Sequence, residues 1–246
     1  MTIKLYDLVG VDDRRFSGNC WRTQLALAHK GLAYETVPTR FTDIAGIGDG
    51  THKTIPLIDD VGTEGCDSWV TANYLEDTYP DTPSLFGADG ANGPGRNFSQ
   101  FLQHWNMRAI SFPLLHVIIK DIYDRLDPAD QPYFRESREK RFGKTLEQMV
   151  ENREETLKEF QSGLNPLRAC LEDQPFLSGT TPLYPDYIIA GQLLWPRPVS
   201  PLKFLEDDDV LTEWFSRMLD LFDGLGRRQR IEGVAECHRQ ARHFLA

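Results

Sequence analysis

The sequence predicts a two-part fold, α/β followed by all-α, on three observations. Across residues 1–80, short strand-like segments alternate with helix-periodic ones in the order β-α-β, then β-β-α. Residues 81–96, DTPSLFGADGANGPGR, are dense in Pro, Gly and Asp and read as a linker. Across 97–246 nearly every apolar pattern has helical period. A chain of 246 residues holds one large domain or two small ones.

Each element has its own signal. IKLYDLV (3–9) alternates as a strand does, and CWRTQLALAHK (20–30) has helical character with Gly31 as a stop. AYETVPT (33–39) and TIPLID (54–59) read as strands, and VGTE (61–64) turns into a hairpin partner, EGCD. SWVTANYLEDTY (68–79) reads as an amphipathic helix. Beyond the linker, Phe98, Phe101, Leu102 and Trp105 recur at helical spacing, and Pro113 should kink or end that helix. TLEQMVENREETLKEFQSGL (145–164) reads as one long helix with a charged outer face. YIIAGQLLW (187–195) is apolar nearly all round and should lie at the centre of the helical half, ended by WPRPVSP (195–201). DVLTEWFSRMLDLF (209–222) sets Leu211, Phe215, Met218, Leu219 and Phe222 on one face, with Gly224 closing it.

Bulk composition narrows the partners. The 27 basic and 37 acidic residues leave a net charge of −10, which argues against nucleic acid and anionic membrane surfaces. No apolar run approaches the roughly 20 residues of a membrane span, and FPLLHVII (112–119) already contains a His. MTIKLYDLVG opens as a strand rather than as a secretory signal. The four cysteines, Cys20, Cys66, Cys170 and Cys237, form no CxxC pair and no metal-ligand spacing. The expectation is a reduced, cytoplasmic protein without structural metal.

Two constellations carry chemistry. In FSGNCWRTQLALAHKG (16–31), Ser17 stands at the start of a helix, Asn19 follows two residues on, and Cys20 lies in the first turn. A helix amino end carries partial positive charge and unpaired N–H groups, and it lowers the pKa of a thiol held there. Ser17 can cap its own helix or point its O–H at a bound anion, and Asn19 adds a second donor. A lone serine in this place is ordinarily a cap alone, and Cys20 alone is ordinarily a packing residue. In the second constellation, Pro56 sits at a strand start, where a cis Ile55–Pro56 bond would turn the Ile55 main chain outward to pair with an extended peptide. An ordinary trans proline at a strand edge is the alternative. Asp67–Ser68 opens the next helix, where the hydroxyl and N–H groups suit a carboxylate and the Asp suits an amine. Both are also good caps.

Together these features outline a slot for a short, extended, thiol-bearing peptide with a free γ-glutamyl end, which describes glutathione. Lys53 and His52 either hold its other carboxylate or are solvated loop charges. At this point the sequence resembles a glutathione transferase. Ser17, five residues before Arg22, falls where that family places its catalytic Ser or Cys. Ile55–Pro56 matches the family's cis-proline, preceded by Lys53 and Thr54, and Asp67–Ser68 matches the pair that holds the γ-glutamyl group. The stretches WRTQLALAHKGL, DSWVTANYLEDTYPD, FRESREKRFGKTLEQM (134–149) and LFDGLGR (221–227) resemble the bacterial β-aryl-etherase branch and its fungal serine-type relatives. In those fungal relatives an Asn also follows two residues after the Ser. Two departures stand out. Leu183 occupies the position where the family carries a Ser or Thr cap three residues before Asp186, and Gly18 replaces the usual Pro, which loosens the loop.

The resemblance implies a thioredoxin-like domain at 1–80, a linker at 81–96 and an all-helical domain at 97–246, in a homodimer. It implies an enzyme in which Ser17, with Asn19, activates the glutathione thiol. Lys53, Thr54, Ile55, Pro56, Asp67 and Ser68 hold the peptide, and Trp105, Phe112, His116 and Trp195 supply an aromatic wall for the electrophile, although core packing explains each aromatic as well. Applied to lignin-type β-aryl ethers, the thiolate would displace a phenolate from the carbon beside a ketone. The alternatives are a general detoxifying transferase or peroxidase, and a non-catalytic carrier of aromatic ligands.

Overall fold

The computed structural model describes residues 2–88, 90, 93–229 and 231–232. Cys237 lies outside the described residues. The first half contains β1 (Ile3–Gly10), β2 (Arg14–Arg15), α1 (Gly18–His29), β3 (Tyr34–Thr39), β4 (Leu57–Asp60), β5 (Thr63–Cys66) and α2 (Ser68–Thr78). Strand β1 is central. β3 lies parallel to it, from Ile3 opposite Tyr34 to Leu8 opposite Thr39. On its other side β4 runs antiparallel with Leu5 opposite Ile58, and β5 continues the sheet outward. Parallel neighbours need a crossover, and α1 supplies it. Its stop at Gly31 has φ +66°, a conformation glycine adopts without cost. β4 begins at Leu57, later than TIPLID suggests, because Thr54–Pro56 form the approach to the strand and Ile55–Pro56 is cis.

The second half is α3 (Pro94–Asn106), α4 (Phe112–Asp124), α5 (Gln131–Phe142), α6 (Leu146–Met149), α7 (Arg153–Gly163), α8 (Asn165–Leu171), α9 (Tyr184–Leu194) and α10 (Val210–Gly224). The order is the expected one, a sheet domain followed by a helical one. A single π-helical turn, Met107–Ser111, joins α3 to α4, and Pro113 sits in the first turn of α4, where its missing N–H costs nothing. The helix expected over 145–164 is two. Thr145 and Gln148 cap the short α6 reciprocally, and Asn152 leaves helical geometry with ψ 38° before α7 starts. The α3 stripe also differs from expectation. Leu102 is buried, Trp105 is half-buried, and Phe98 and Phe101 are 48% and 63% exposed. Among the described residues no helix is long and apolar enough to cross a membrane.

Every residue of α9 is buried, which makes it the axis of the helical half. Leu183 has no side-chain acceptor, so the amino end of α9 depends on Asp186. Its carboxylate accepts from Leu177 N (2.8 Å), Ser178 N (3.2 Å), Leu183 N (3.2 Å) and Trp214 Nε1 (3.0 Å). Trp214 on α10 is fully buried, a core residue that the pattern of α10 did not reveal. The linker is likewise tied down. Glu76 accepts from Lys30 Nζ at 3.0 Å, from Leu85 N at 2.9 Å and from the Ser84 hydroxyl, while Leu85 and Phe86 enter the core. His29 adds a bond across the halves, with Nδ1 2.6 Å from the Tyr187 hydroxyl and Nε2 3.0 Å from Ser84 O.

The tightest joint between the halves is α1 against α9. A Cβ on Gly18 would sit 2.6 Å from Gly191 O, and one on Gly191 would sit 2.4 Å from Gly18 O. Both obstacles are main chain and cannot rotate away. Gly18 therefore fixes the loop instead of loosening it. Gly191→Ala should lower the unfolding free energy by about 3 kcal/mol, at the upper end for overpacking, as read from urea denaturation.

Candidate functional site

Ser17 is the N-cap of α1, and its Oγ accepts from Cys20 N at 3.2 Å. That bond uses a lone pair and leaves the O–H itself to donate. Trp21 N bonds to Ser17 O, so the N–H groups of Gly18 and Asn19 are the two first-turn donors without a partner among the described residues. Ser17 is half-buried and Asn19 is exposed.

Cys20 points the other way. It is fully buried, with Sγ 3.9 Å from Tyr6 O. Burial raises its pKa well above the ordinary thiol value, the Asp7 carboxylate adds to the rise, and the Ser17 hydroxyl opposes both. A neutral, enclosed thiol is a packing group.

The second constellation is drawn together by hydrogen bonds. Asp67 N donates to Pro56 O at 3.0 Å, and Cys66 Sγ donates to Thr54 O at 3.2 Å, which ties the cis-proline approach to the start of α2. Leu57 next to Pro56 pairs with Tyr6, the residue whose carbonyl meets Cys20. The amino end of α1 and the proline loop are therefore neighbours through one strand register. The Ile55 main chain has no partner among the described residues. Asp67 adopts φ 82°, and its Oδ1 caps α2 by accepting from Trp69 N (2.7 Å) and Val70 N (3.3 Å). Ser68 is buried, and its carbonyl accepts from the Tyr184 hydroxyl at 2.8 Å.

The remaining expected residues divide. His52 is engaged with Glu64, Nε2 to Oε2 at 2.7 Å, so it is not free in this arrangement to meet a ligand carboxylate. Lys53 and Thr54 are exposed, and Lys53 forms no ion pair among the described residues. Phe112 and His116 meet at a tilt of 53° with centroids 4.5 Å apart, and both pack on Phe142. Trp105 and Trp195 are half-buried against the core and make no ring contact with that cluster among the described residues.

The structure adds a polar chain that the sequence reading missed. Asn106 Nδ2 donates to Ser111 Oγ at 3.0 Å, and Ser111 Oγ donates to Gln192 Oε1 at 2.8 Å. This fixes the Gln192 amide so that Nε2 faces Gly18, 3.5 Å from where a Cβ would stand. The chain crosses from the π turn to the residue beside Ser17. The signal for it was the Gly–Gln pair inside the apolar run YIIAGQLLW, where neither residue contributes to packing by bulk.

Residues 97–223 match the family described as "Glutathione S-transferase, C-terminal domain". The chain belongs to the glutathione S-transferase family. Solved structures agree. A glutathione S-transferase of Ceriporiopsis subvermispora, determined in complex with glutathione, superposes with a TM-score of 0.78 at 26% identity, over 91% of this chain and 97% of that one. Two glutathione transferases of Phanerochaete chrysosporium are similar as well. One has a TM-score of 0.71 at 28% identity over 91% of this chain and 92% of its own. The other has a TM-score of 0.69 at 27% identity over 99% and 98%.

Asp7, beneath Cys20, gives this glutathione S-transferase family member a measurable titration. Its Oδ2 accepts from Arg15 Nη1 at 3.1 Å and from Gln24 Nε2 at 3.2 Å. Burial nonetheless pushes its carboxyl up from 3.8 to about 6, against the pull of Arg15. The folded protein holds this proton to higher pH than the unfolded chain does. The contribution to stability is therefore full below about pH 4 and lost as pH rises to about 6, roughly 3 kcal/mol in all. Asp7→Asn should remove that descent from the pH profile of unfolding free energy, and an unchanged slope between pH 4 and 6 would refute the assignment.

Proposed function

We propose that the chain is a glutathione transferase that uses Ser17 to hold the glutathione sulfur as a thiolate. The observation that carries this reading is the geometry of Ser17. Half-exposed at the amino end of α1, it uses an Oγ lone pair for the cap and keeps its O–H for donation. Asn19 and the free N–H groups of the first turn add positive potential at the same point. Ile55 offers its main chain to the cysteinyl unit, Pro56 and Thr54 shape that edge, and Lys53 meets the glycine carboxylate. Ser68 and Asp67 take the carboxylate and ammonium of the γ-glutamyl group. The Ceriporiopsis relative crystallised with glutathione supports the choice of peptide.

The thiolate then attacks an electrophilic carbon. For an α-keto β-aryl ether, the C–S bond forms as the C–O bond breaks, phenolate leaves with the electron pair, and a proton from solvent completes the phenol. The adjacent ketone activates the carbon, and phenolate is a fair leaving group. The resemblance of the motifs at 134–149 and 221–227 to the β-aryl-etherase branch favours this substrate class. Of the four aromatics Phe112 is the exposed one, with His116 packed beside it, and it is the ring placed to meet an aromatic substrate. The enclosed, high-pKa Cys20 argues against disulfide-exchange chemistry, which needs an accessible thiolate. Val61, Val70, Phe98 and Phe101, each about half exposed or more, support a homodimer as the working form.

Ser17→Ala should lower kcat/KM for glutathione conjugation about 100-fold, as loss of a well-placed donor to a developing or bound anion does. It should raise the pKa of bound glutathione, read by thiolate absorbance. Loss of the cap should cost only about 1 kcal/mol of stability. Unchanged turnover excludes Ser17 from the mechanism. An α-keto β-aryl ether assayed beside a chlorinated nitroaromatic tests the substrate class, and a parent protein inert toward both favours the carrier reading.

A further inference from the structure

Building on the thiolate role proposed for Ser17, we infer that Gln229 is a positioning residue for that serine, acting from the far end of the chain through one carbonyl oxygen. Arg15 O, two residues before Ser17, accepts two hydrogen bonds, from Trp21 Nε1 at 3.0 Å and from Gln229 Nε2 at 3.1 Å. A carbonyl oxygen has two lone pairs, so both are taken and the 15–16 peptide is held from two sides. Trp21 belongs to α1 and moves with Ser17. Gln229 is the donor anchored elsewhere. It is buried, and the same Nε2 donates to Leu194 O at the end of α9, at 2.8 Å. Its Oε1 accepts from Arg197 Nη1 at 3.2 Å, which sets the amide with its nitrogen toward the two carbonyls.

The backbone departs from ordinary geometry to bring Gln229 there. At the end of α10, Phe222, Asp223 and Gly224 have φ of 52°, 58° and 75° in succession. Residues with a side chain adopt that left-handed conformation at a cost, and such costs gather where a chain has to be aimed. Here the turn sets the Phe222 ring against His29 and Tyr187 and returns Leu225–Gln229 to the amino end of α1. Glu232 extends the anchorage by pairing with Arg14 Nη1 at 2.6 Å and Arg125 Nη2 at 2.7 Å. Both residues of β2 are therefore held by the segment that follows α10, Arg14 through its side chain and Arg15 through its main chain. Buried Phe16 and then Ser17 come directly after them. A hydroxyl that serves a bound sulfur has to be placed within about 0.5 Å, and a 15–16 peptide free to rotate would spread its direction. Gln229 touches no reacting atom and acts through Arg15 and Ser17.

The test titrates the thiol of bound glutathione by thiolate absorbance and measures pH–rate profiles with a chlorinated nitroaromatic. Gln229→Met keeps the length and removes the amide. Gln229→Glu keeps an acceptor for Arg197 and removes only the donor to Arg15 O, and it carries the comparison if Gln229→Met does not fold. Both should move the thiol titration to higher pH and lower kcat about 10-fold near neutral pH, with KM for glutathione within about twofold of the parent. The loss should shrink as pH rises and the thiolate forms unaided. In a Ser17→Ala background, Gln229→Met should change kcat less than about twofold, because the group it positions is gone. Gln174→Met is the control for stability alone, since it deletes an amide bond to Leu177 O far from the loop, 3.1 Å long. It should lower the melting temperature and leave the titration as in the parent. An unmoved titration in the Gln229 variants, an equal shift in Gln174→Met, or a full effect of Gln229→Met without Ser17 overturns the inference and leaves the glutathione reading intact. A parent protein that forms no bound thiolate overturns that reading itself, and the inference with it.

Discussion

Two glycines meeting main chain to main chain hold the first turn of α1 against the middle of α9. At Gly18 and Gly191 each carbonyl occupies the space that a side chain on the other residue would need. Much else depends on this contact. It fixes the direction in which α1 leaves Ser17 and sets the height of Arg22 against α9. It also brings the Gln192 amide to the edge of the same turn. The sheet side is fixed separately, by the register of Tyr6 with Leu57 and by the bond from Asp67 N to Pro56 O. The candidate site lies where these two constraints meet, so neither half of the chain builds it alone.

The helical half can offer such a rigid surface because α9 is enclosed on all sides and its amino end is fully provided with acceptors. A leucine cap supplies none, and Asp186 makes up the deficit by accepting four N–H bonds, one of them from Trp214 on another helix. Burial raises the Asp186 pKa, while the Trp214 and main-chain donors pull it back. A carboxylate with that many donors remains a workable anion inside a core. The consequence is mechanical. A helix locked at its start by Asp186 can carry a glycine at its centre without bending there, and that glycine is what lets α1 approach.

How much of this could be read from the chain varies with how local the cause is. The strand–helix order and the Asp67–Ser68 helix start were legible because each depends on a few adjacent residues, whereas the residues left cis and trans open at Ile55–Pro56 and the cis form followed from the resemblance. The break at Asn152 was not legible, since residues 145–164 keep a helical pattern of apolar and charged positions across it. The join between α3 and α4 was not legible for a different reason. A π turn at 107–111 lies between Trp105 and Phe112, and no periodicity reports a π turn. Trp214 and Gln192 were missed because their importance lies in partners far along the chain, Asp186 for one and Ser111 for the other.

The buried charged groups then sort themselves by whether their partners are internal. Lys30 with Glu76 and Asp186 with its four donors are closed sets, and they join pieces of the chain to one another. Asp7 is nearly closed, with one oxygen paired and burial felt as a raised pKa. Arg22 alone among these has a guanidinium with two enclosed nitrogens lacking acceptors.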